Sequence, residues 1–444
     1  MSYARTTAFE PKVPSGQRLY DFQRAGVEYL LKVGKGIDGD APGCGKTPTA
    51  IATMNTAGVD RYLVLCPASL CDNWHRELTK WSTGPFPPHV FAPAKRTPRD
   101  CILIMSYGLA SREEHAKRIM GGYPFGGVVC DEFHALKNMD SQRSKTVLAY
   151  DGFFSRANIV LGLSGTPLVN RPIEIFAFVN RINPRALGVD SMHDFGLKFC
   201  QARRDSWGWV YDGADNREEL GRRLRSTCMV RRLKKDVLPE LPPKIERAIY
   251  LDKNEATTRL VEFECGYYDA QQKHGSLTQE EQTNEMRVRI QLGLTKVRAA
   301  VEYIRMLLTG GVEKLIVFGL HRDVLARVLA GVSDFWPVII TGATPQKERQ
   351  PRVDQFQNDP RCRVLLGCIQ AAGVGFDMTA ANYVVFVESS WVPGENEQAS
   401  DRPHRIGQHR SVSVDYLIYS GSVDERVLST VGKKARTLSA VLNT

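Results

Sequence analysis

Two short stretches and a pair of arginines carry the residue types needed to work on a polyphosphate. The first stretch is Gly39-Asp40-Ala41-Pro42-Gly43-Cys44-Gly45-Lys46-Thr47. Gly43 and Gly45 lack Cβ atoms, so backbone N–H groups can curl around phosphate oxygens. Lys46 would bring a point charge to the β- and γ-phosphates, and the Thr47 hydroxyl would ligate Mg²⁺. The strict spacing asks for Gly where this chain has Asp40, and a Gly-rich turn that happens to precede Lys-Thr is the alternative. The second stretch is Asp131-Glu132-Phe133-His134, directly after Val128-Val129-Cys130. Two adjacent carboxylates at a strand's end repel unless a cation joins them. Asp131 would hold Mg²⁺, Glu132 would orient and deprotonate an attacking water, and His134 would couple this loop to the next. Arg402 and Arg405, three apart, are expected on one helical face. A permanently charged, bidentate guanidinium suits a transferring γ-phosphate.

These residues need a scaffold that brings distant loops together. Short runs rich in β-branched residues read as strands: 62–66, 101–105, 127–130, 159–163, 314–318, 338–340, 363–366 and 383–387. Helical stretches separate them, and one begins at Thr49-Ala50-Ile51-Ala52, placing its N-terminus against the bound anion. The alternation predicts an α/β fold of parallel sheets covered on both faces. The strands fall into two groups around a region of helical periodicity, roughly 170–310. Arg222 to Lys235 is densely basic, and Leu241-Pro242-Pro243 then breaks the chain. The reading is two domains, 1–235 and 236–444, with a solvated helix face the commoner reading of the basic run.

Composition narrows the class. A chain of 444 residues suits two or three domains, and 43% hydrophobic with 24% charged residues is globular. A net charge of +10 favours a polyanionic partner such as nucleic acid. The ten cysteines form no CxxC pair, so buried free thiols of a reducing compartment are expected. The N-terminal residues lack an apolar secretory run, and no apolar stretch reaches membrane-span length. An intracellular, monomeric engine is expected, its few appendages suiting a bacterial or phage protein.

Asp131-Glu132-Phe133-His134-Ala135-Leu136-Lys137-Asn138 resembles the DExH box of the Swi/Snf-type ATPases of helicase superfamily two. Leu19 to Val27 resembles that family's Q motif, with Gln23 as the amide that contacts adenine. The family usually has Asp at the position of Asp40. Pro67-Ala68-Ser69-Leu70 with Trp74 resembles motif Ia, and Ser106-Tyr107 a following strand-binding loop. Ser164-Gly165-Thr166-Pro167 resembles motif III, and Gln370 to Thr379 motif V, including Gly375. Gln398 to Gln408 is similar to motif VI, which makes Arg402 and Arg405 the arginine-finger candidates. Phe199 to Ala202, Trp207-Gly208-Trp209, Asn216 to Leu220 and Met229 to Leu238 resemble the HARP-type annealing-helicase branch. Cys44, Phe133 and Gln370 depart from the family pattern, and none removes a catalytic group.

The resemblance implies two RecA-like lobes with ATP and Mg²⁺ in an interlobe cleft. It also implies a DNA-dependent ATPase that translocates on duplex or branched DNA, with strand remodelling or annealing. A DExH RNA helicase, or a non-catalytic nucleic-acid-binding module with a relic ATP site, is the alternative. Short polar side chains would grip phosphates without reading sequence. By motif these are Ser69, Ser106 and Thr379, joined by Trp391, which either packs on the sugar-phosphate track or closes the second lobe's core. The aromatics Trp207, Trp209 and Tyr211 are either a binding wing or a structural staple.

Overall fold

The β-branched runs fold as parallel strands because each is apolar along its whole length and must be covered on both faces. In a computed structural model, residues 9–165, 167, 171–205, 208–211, 213–274, 277–372 and 376–428 are described. The chain divides after Pro239 into two units.

The first unit carries β1 (Lys35–Asp38), β2 (Tyr62–Cys66), β3 (Pro88–Val90), β4 (Ile102–Ser106), β5 (Gly127–Asp131) and β6 (Ile159–Leu163). A small antiparallel hairpin, β7 (Arg203–Asp205) and β8 (Gly208–Val210), precedes β9 (Met229–Val230). The sheet order is β3-β4-β2-β5-β6-β1-β9, and every pairing is parallel. Parallel strands end on the same edge, so the loops after β1, β6 and β5 lie side by side there. Helices α1 (Asp21–Val33), α2 (Lys46–Ala57) and α3 (Cys71–Trp81) flank the sheet. Phe133, unusual for its motif, is buried against Phe178, with ring centroids 4.5 Å apart.

The basic run of 222–235 is not a solvated helix face throughout. Its first half is helical, Arg217–Thr227. The chain then turns into β9, which adds to the sheet beside β1. Past β9 it continues along the glycine-rich loop, with Arg232 buried.

The second unit carries β10 (Lys244–Leu251), β11 (Leu315–Gly319), β12 (Val338–Ile340), β13 (Val364–Cys368), β14 (Tyr383–Phe386) and β15 (Val412–Tyr419). Their order is β10-β15-β14-β11-β13-β12, again all parallel. Helices Glu255–His274 and Gln279–Thr309 precede β11. The longer one starts with a capping box: Thr278 Oγ1 accepts from Glu281 N at 3.3 Å, and Thr278 N donates to Glu281 Oε2 at 2.8 Å.

One expectation about this unit is corrected. Arg402 and Arg405 do not share a helical face, because the helix Pro393–Ser400 ends before them. Pro403 explains the stop: it has no N–H to donate, and its ring disfavours helical geometry in the preceding residue. Both arginines lie in the irregular turn that follows.

Among the described residues, no helix is long and apolar enough to cross a membrane. All ten cysteines are unpaired, and Cys66 Sγ lies 3.7 Å from Cys71 Sγ.

A polar cluster is built into the second unit. Lys296 is buried and donates to Val387 O at 3.2 Å, Leu417 O at 2.7 Å and Asp424 Oδ2 at 2.6 Å. Beside it, burial and then the charge of Asp424 push the Glu264 carboxyl up to about 7, against Lys296 and Arg289. The folded protein holds this proton more tightly than the unfolded chain does. That contribution is full below Glu264's ordinary value and is lost as pH rises through about 7. Glu264→Gln keeps an acceptor for Val423 N but does not titrate. Its thermal midpoint should therefore fall less than the parent's between about pH 5 and about pH 8, as read by circular dichroism melts.

Candidate active site

The glycine-rich loop leaves β1 and enters α2 at Lys46. Gly43 (φ 84°) and Gly45 (φ 79°) take the left-handed conformation that residues with a Cβ avoid. The loop leads straight into the N-terminus of α2, which suits an anion. The Lys46 ammonium is held across its own loop, donating to Asp40 O at 2.8 Å and Ala41 O at 3.3 Å. Thr47 is the second residue of α2. Gln23 of α1 is buried; its Nε2 donates to Cys44 O at 2.9 Å and its Oε1 accepts from Tyr20 N at 2.9 Å. The amide thus joins α1 to the loop, with one hydrogen and one lone pair left for a base edge.

The loop is walled on its other side by β9 and the residues after it. Gly39 N donates to Val230 O at 2.8 Å, and Ala41 N donates to Arg232 O at 3.0 Å. Arg231 Nη1 donates to Gly39 O and, at 3.0 Å, to Gly165 O.

The acidic pair sits at the end of β5. Burial first, and the charge of Glu132 second, raise the Asp131 carboxyl above the usual carboxylate range. Trp74 Nε1 donates to Asp131 Oδ2 at 2.7 Å, and Lys46 adds its positive charge. Both oppose that rise. The electrostatic reach of Lys46 to Asp131 brings the two sequence motifs into one site. Glu132 has φ 50°, a left-handed backbone that is unusual without glycine and typical of a functional turn. Its Oε2 accepts from Ser164 Oγ at 3.0 Å, and His134 Nδ1 lies 3.2 Å from the same hydroxyl. Ser164, at the end of β6, therefore links Glu132 to His134 between the two flanking loops.

Three residues outside the expected set matter here. Trp74 lies in a motif that gives it no role, and its N–H fixes the Asp131 carboxylate. Ser164 was likewise quoted without a role. Arg232 lies in the basic run and in the stretch Met229 to Leu238 that carries the family resemblance, with no role of its own expected from sequence.

In the second unit, the turn holding Arg402 and Arg405 is fastened at several points. His404 Nε2 lies 2.8 Å from Pro242 O, and Lys244 Nζ donates to Asp401 Oδ1 at 2.9 Å. Gln408 Nε2 donates to Thr379 O at 3.1 Å, Ala381 O at 2.8 Å and Pro403 O at 3.1 Å. This ties the turn to the segment ending in Thr379. Arg402 is buried, and the buried Nε of Arg405 has no hydrogen-bond partner among the described residues. Gly375 lies outside the described residues.

The nucleic-acid candidates have mixed surroundings. Ser69 is half-buried in the short turn Ala68–Leu70 after β2. Ser106 is buried at the end of β4, and its Oγ accepts from Leu109 N at 3.3 Å, capping a short helix. Thr379 is half-buried. Trp391 is packed, with the Arg289 guanidinium 4.3 Å over its ring and Tyr268 edge-on at 5.1 Å. Tyr211 OH lies 3.2 Å from His193 Nδ1, whereas Trp209 on the hairpin is exposed; Trp207 lies outside the described residues.

Comparison with known proteins gives the family. Residues 22–296 match the SNF2-related domain, and residues 295–407 match the helicase conserved C-terminal domain. The chain is 32% identical to the Mus musculus DNA annealing helicase and endonuclease ZRANB3, over 96% of this chain and 41% of that protein. It is 30% identical to the Xenopus tropicalis SWI/SNF-related matrix-associated actin-dependent regulator of chromatin subfamily A-like protein 1, over 98% of this chain and 47% of that protein. The chain thus spans less than half the length of these relatives. The Sulfolobus solfataricus SWI2/SNF2 ATPase core in complex with dsDNA aligns with 96% of this chain and 97% of that chain, at 22% identity and a TM-score of 0.46. With a phosphate loop and acidic box on one sheet edge, and with the SNF2-related match covering more than half its length, the chain belongs to the SNF2-related family of helicase-like ATPases.

Proposed function

We propose that this chain hydrolyses ATP and uses the energy to move on duplex or branched DNA, remodelling or annealing strands as it goes. The observation that carries the reading is the convergence of Lys46, Asp131 and Glu132 at one sheet edge, locked by Ser164. Residues 1–235 bind the nucleotide, with Gly43, Gly45, Lys46 and Thr47 around its phosphates and Gln23 at its base. Residues 236–444 supply Arg402 and Arg405 to the transferring phosphate, with Gly375 on the same nucleotide. Glu132 takes the proton of the attacking water, and its strained backbone and the Ser164 hydroxyl fix where its carboxylate points. The half-buried Ser69 and Thr379 would contact DNA phosphates, whereas the buried Ser106 caps its helix and the packing of Trp391 with Arg289 and Tyr268 supports its core-closing alternative.

The donors fit Mg²⁺. A threonine hydroxyl and a carboxylate are hard oxygen ligands, and a divalent cation would hold ionised an Asp131 that burial pushes toward its neutral form. Thr47 and Asp131 would hold it. When bound, the ion would neutralise charge developing on the phosphates. The Trp74 N–H bond would fix the Asp131 carboxylate that holds it.

The relatives' names support DNA as the substrate, since they include a DNA annealing helicase. The net charge of +10 supports a polyanionic partner.

Three outcomes are expected. Glu132→Gln should lower DNA-stimulated phosphate release on the order of a thousandfold while leaving nucleotide binding intact, and Lys46→Ala and Arg405→Ala should each abolish turnover. Near-parent turnover in Glu132→Gln removes the base assignment. Trp74→Phe keeps the ring but loses the bond to Asp131, so it should raise the Mg²⁺ concentration for half-maximal activity about tenfold or more. In parallel ATPase titrations, duplex or forked DNA should stimulate more than RNA. Preference for RNA would point to the RNA-helicase class, and nucleotide binding without stimulated turnover would point to a relic site.

A further inference from the structure

The loop that cradles phosphate contains a buried acid, which is an unfavourable neighbour for an anion. Asp40 and Arg232 explain how it is tolerated. Arg232 Nε donates to Asp40 Oδ1 at 3.1 Å, with the two side chains 2% and 3% exposed. The backbone oxygen of Arg232 accepts from Ala41 N at 3.0 Å, so one residue grips the loop by main chain and side chain together. Its guanidinium lies over the Phe22 ring, 5.4 Å from the centroid. It also fills the space beside Gly26, where a Cβ would come 2.6 Å from Nη2. Both residues are on α1, the helix whose Gln23 reaches Cys44 O. The Asp40 backbone is fixed as well, its N–H donating to Asp38 Oδ1 at 3.1 Å and its carbonyl accepting from Lys46 at 2.8 Å.

We propose that Arg232 is a positioning residue for nucleotide binding: it neutralises Asp40 and, through the Ala41 N–H that its carbonyl accepts, holds the phosphate loop against α1 in the arrangement that receives phosphate. The inference rests on the reading of Gly43 to Thr47 as a nucleotide site. Arg232 acts through Asp40 and the loop, not on the reacting phosphate. Without it, an unpaired carboxylate would remain beside the phosphates and weaken binding, while Lys46 and Glu132 would keep their chemistry.

The test is a double-mutant cycle on the full chain, using Arg232→Met, Asp40→Asn and the pair together, with Arg232→Lys as the conservative variant. A fluorescent ATP analogue reads binding, and DNA-stimulated phosphate release reads KM and kcat. Arg232→Met should raise Kd and KM about tenfold or more, with kcat at saturation within about threefold of the parent. Adding Asp40→Asn should return KM toward the parent, so the two losses do not add. Arg232→Lys should fall between parent and Arg232→Met. A lower kcat with unchanged KM, or losses that add, would overturn the proposal, because an Arg232 that acts on nucleotide binding through Asp40 predicts a raised KM and coupled losses. If Arg232→Met does not fold by circular dichroism, the same cycle run with Arg232→Lys reads the coupling, and additive losses there overturn it equally. A parent that binds no nucleotide would instead count against the proposed function.

Discussion

Like charges crowd the carboxyl edge of the first sheet. Asp38 and Asp40 follow from β1, and Asp131 and Glu132 from β5. All four surround the place where the loop geometry receives more negative charge. Burial raises Asp38 and Asp131 above the usual carboxylate range, and Asp40 and Glu132 respectively raise them further. Much of the lobe's polar structure answers this crowding. Arg232 sits on Asp40, Trp74 on Asp131 and Ser164 on Glu132. Lys46 lowers both Asp38 and Asp131 by its charge. An arginine, an indole N–H and a hydroxyl each come from a different element, so the site's electrostatics depend on the whole sheet edge being assembled.

The second unit repeats the parallel architecture but uses its loops differently. There the buried polar groups mostly fasten chain to chain. Gln408 makes three bonds to carbonyls, and Lys296 makes two to carbonyls and one to Asp424. A buried amide or ammonium satisfied in this way fixes one arrangement and disfavours others, because any shift leaves a polar group unpaired. The turn carrying Arg402 and Arg405 is held by such bonds in place of helical periodicity. That suits residues which must present charge at a set position.

The central strands were legible because they are uniformly apolar and short. Strands that carry charge were not. β1 reads Lys-Gly-Ile-Asp, with one β-branched residue, yet it leads into the phosphate loop. β15 is interrupted by Asp415, which is tolerated in the ladder because Arg247 Nε donates to it at 2.7 Å and Tyr303 OH at 2.6 Å. β10 is a largely exposed edge strand and looks like linker. For the site, Lys46, Asp131 and Glu132 were legible as candidates, since polyphosphate chemistry calls for those types in two paired motifs. Trp74, Ser164 and Arg232 act through contacts between residues far apart in the chain. Such contacts leave no local period to read. The helical placement of the arginines failed for a local reason, because Pro403 stands between them.

The buried pair of Asp40 and Arg232 spans 192 positions of sequence. During synthesis the phosphate loop therefore emerges long before the residue that neutralises its acid. Strands β1 to β6 can pair in the meantime, but the edge beside β1 stays open and Asp40 stays without its partner. Non-local closure of this kind is slow and comes late. A nascent or truncated chain ending ahead of Met229 would thus hold the recognisable motifs of a nucleotide site without its finished wall, and competence to hold phosphate would arrive only as the chain leaves the first lobe.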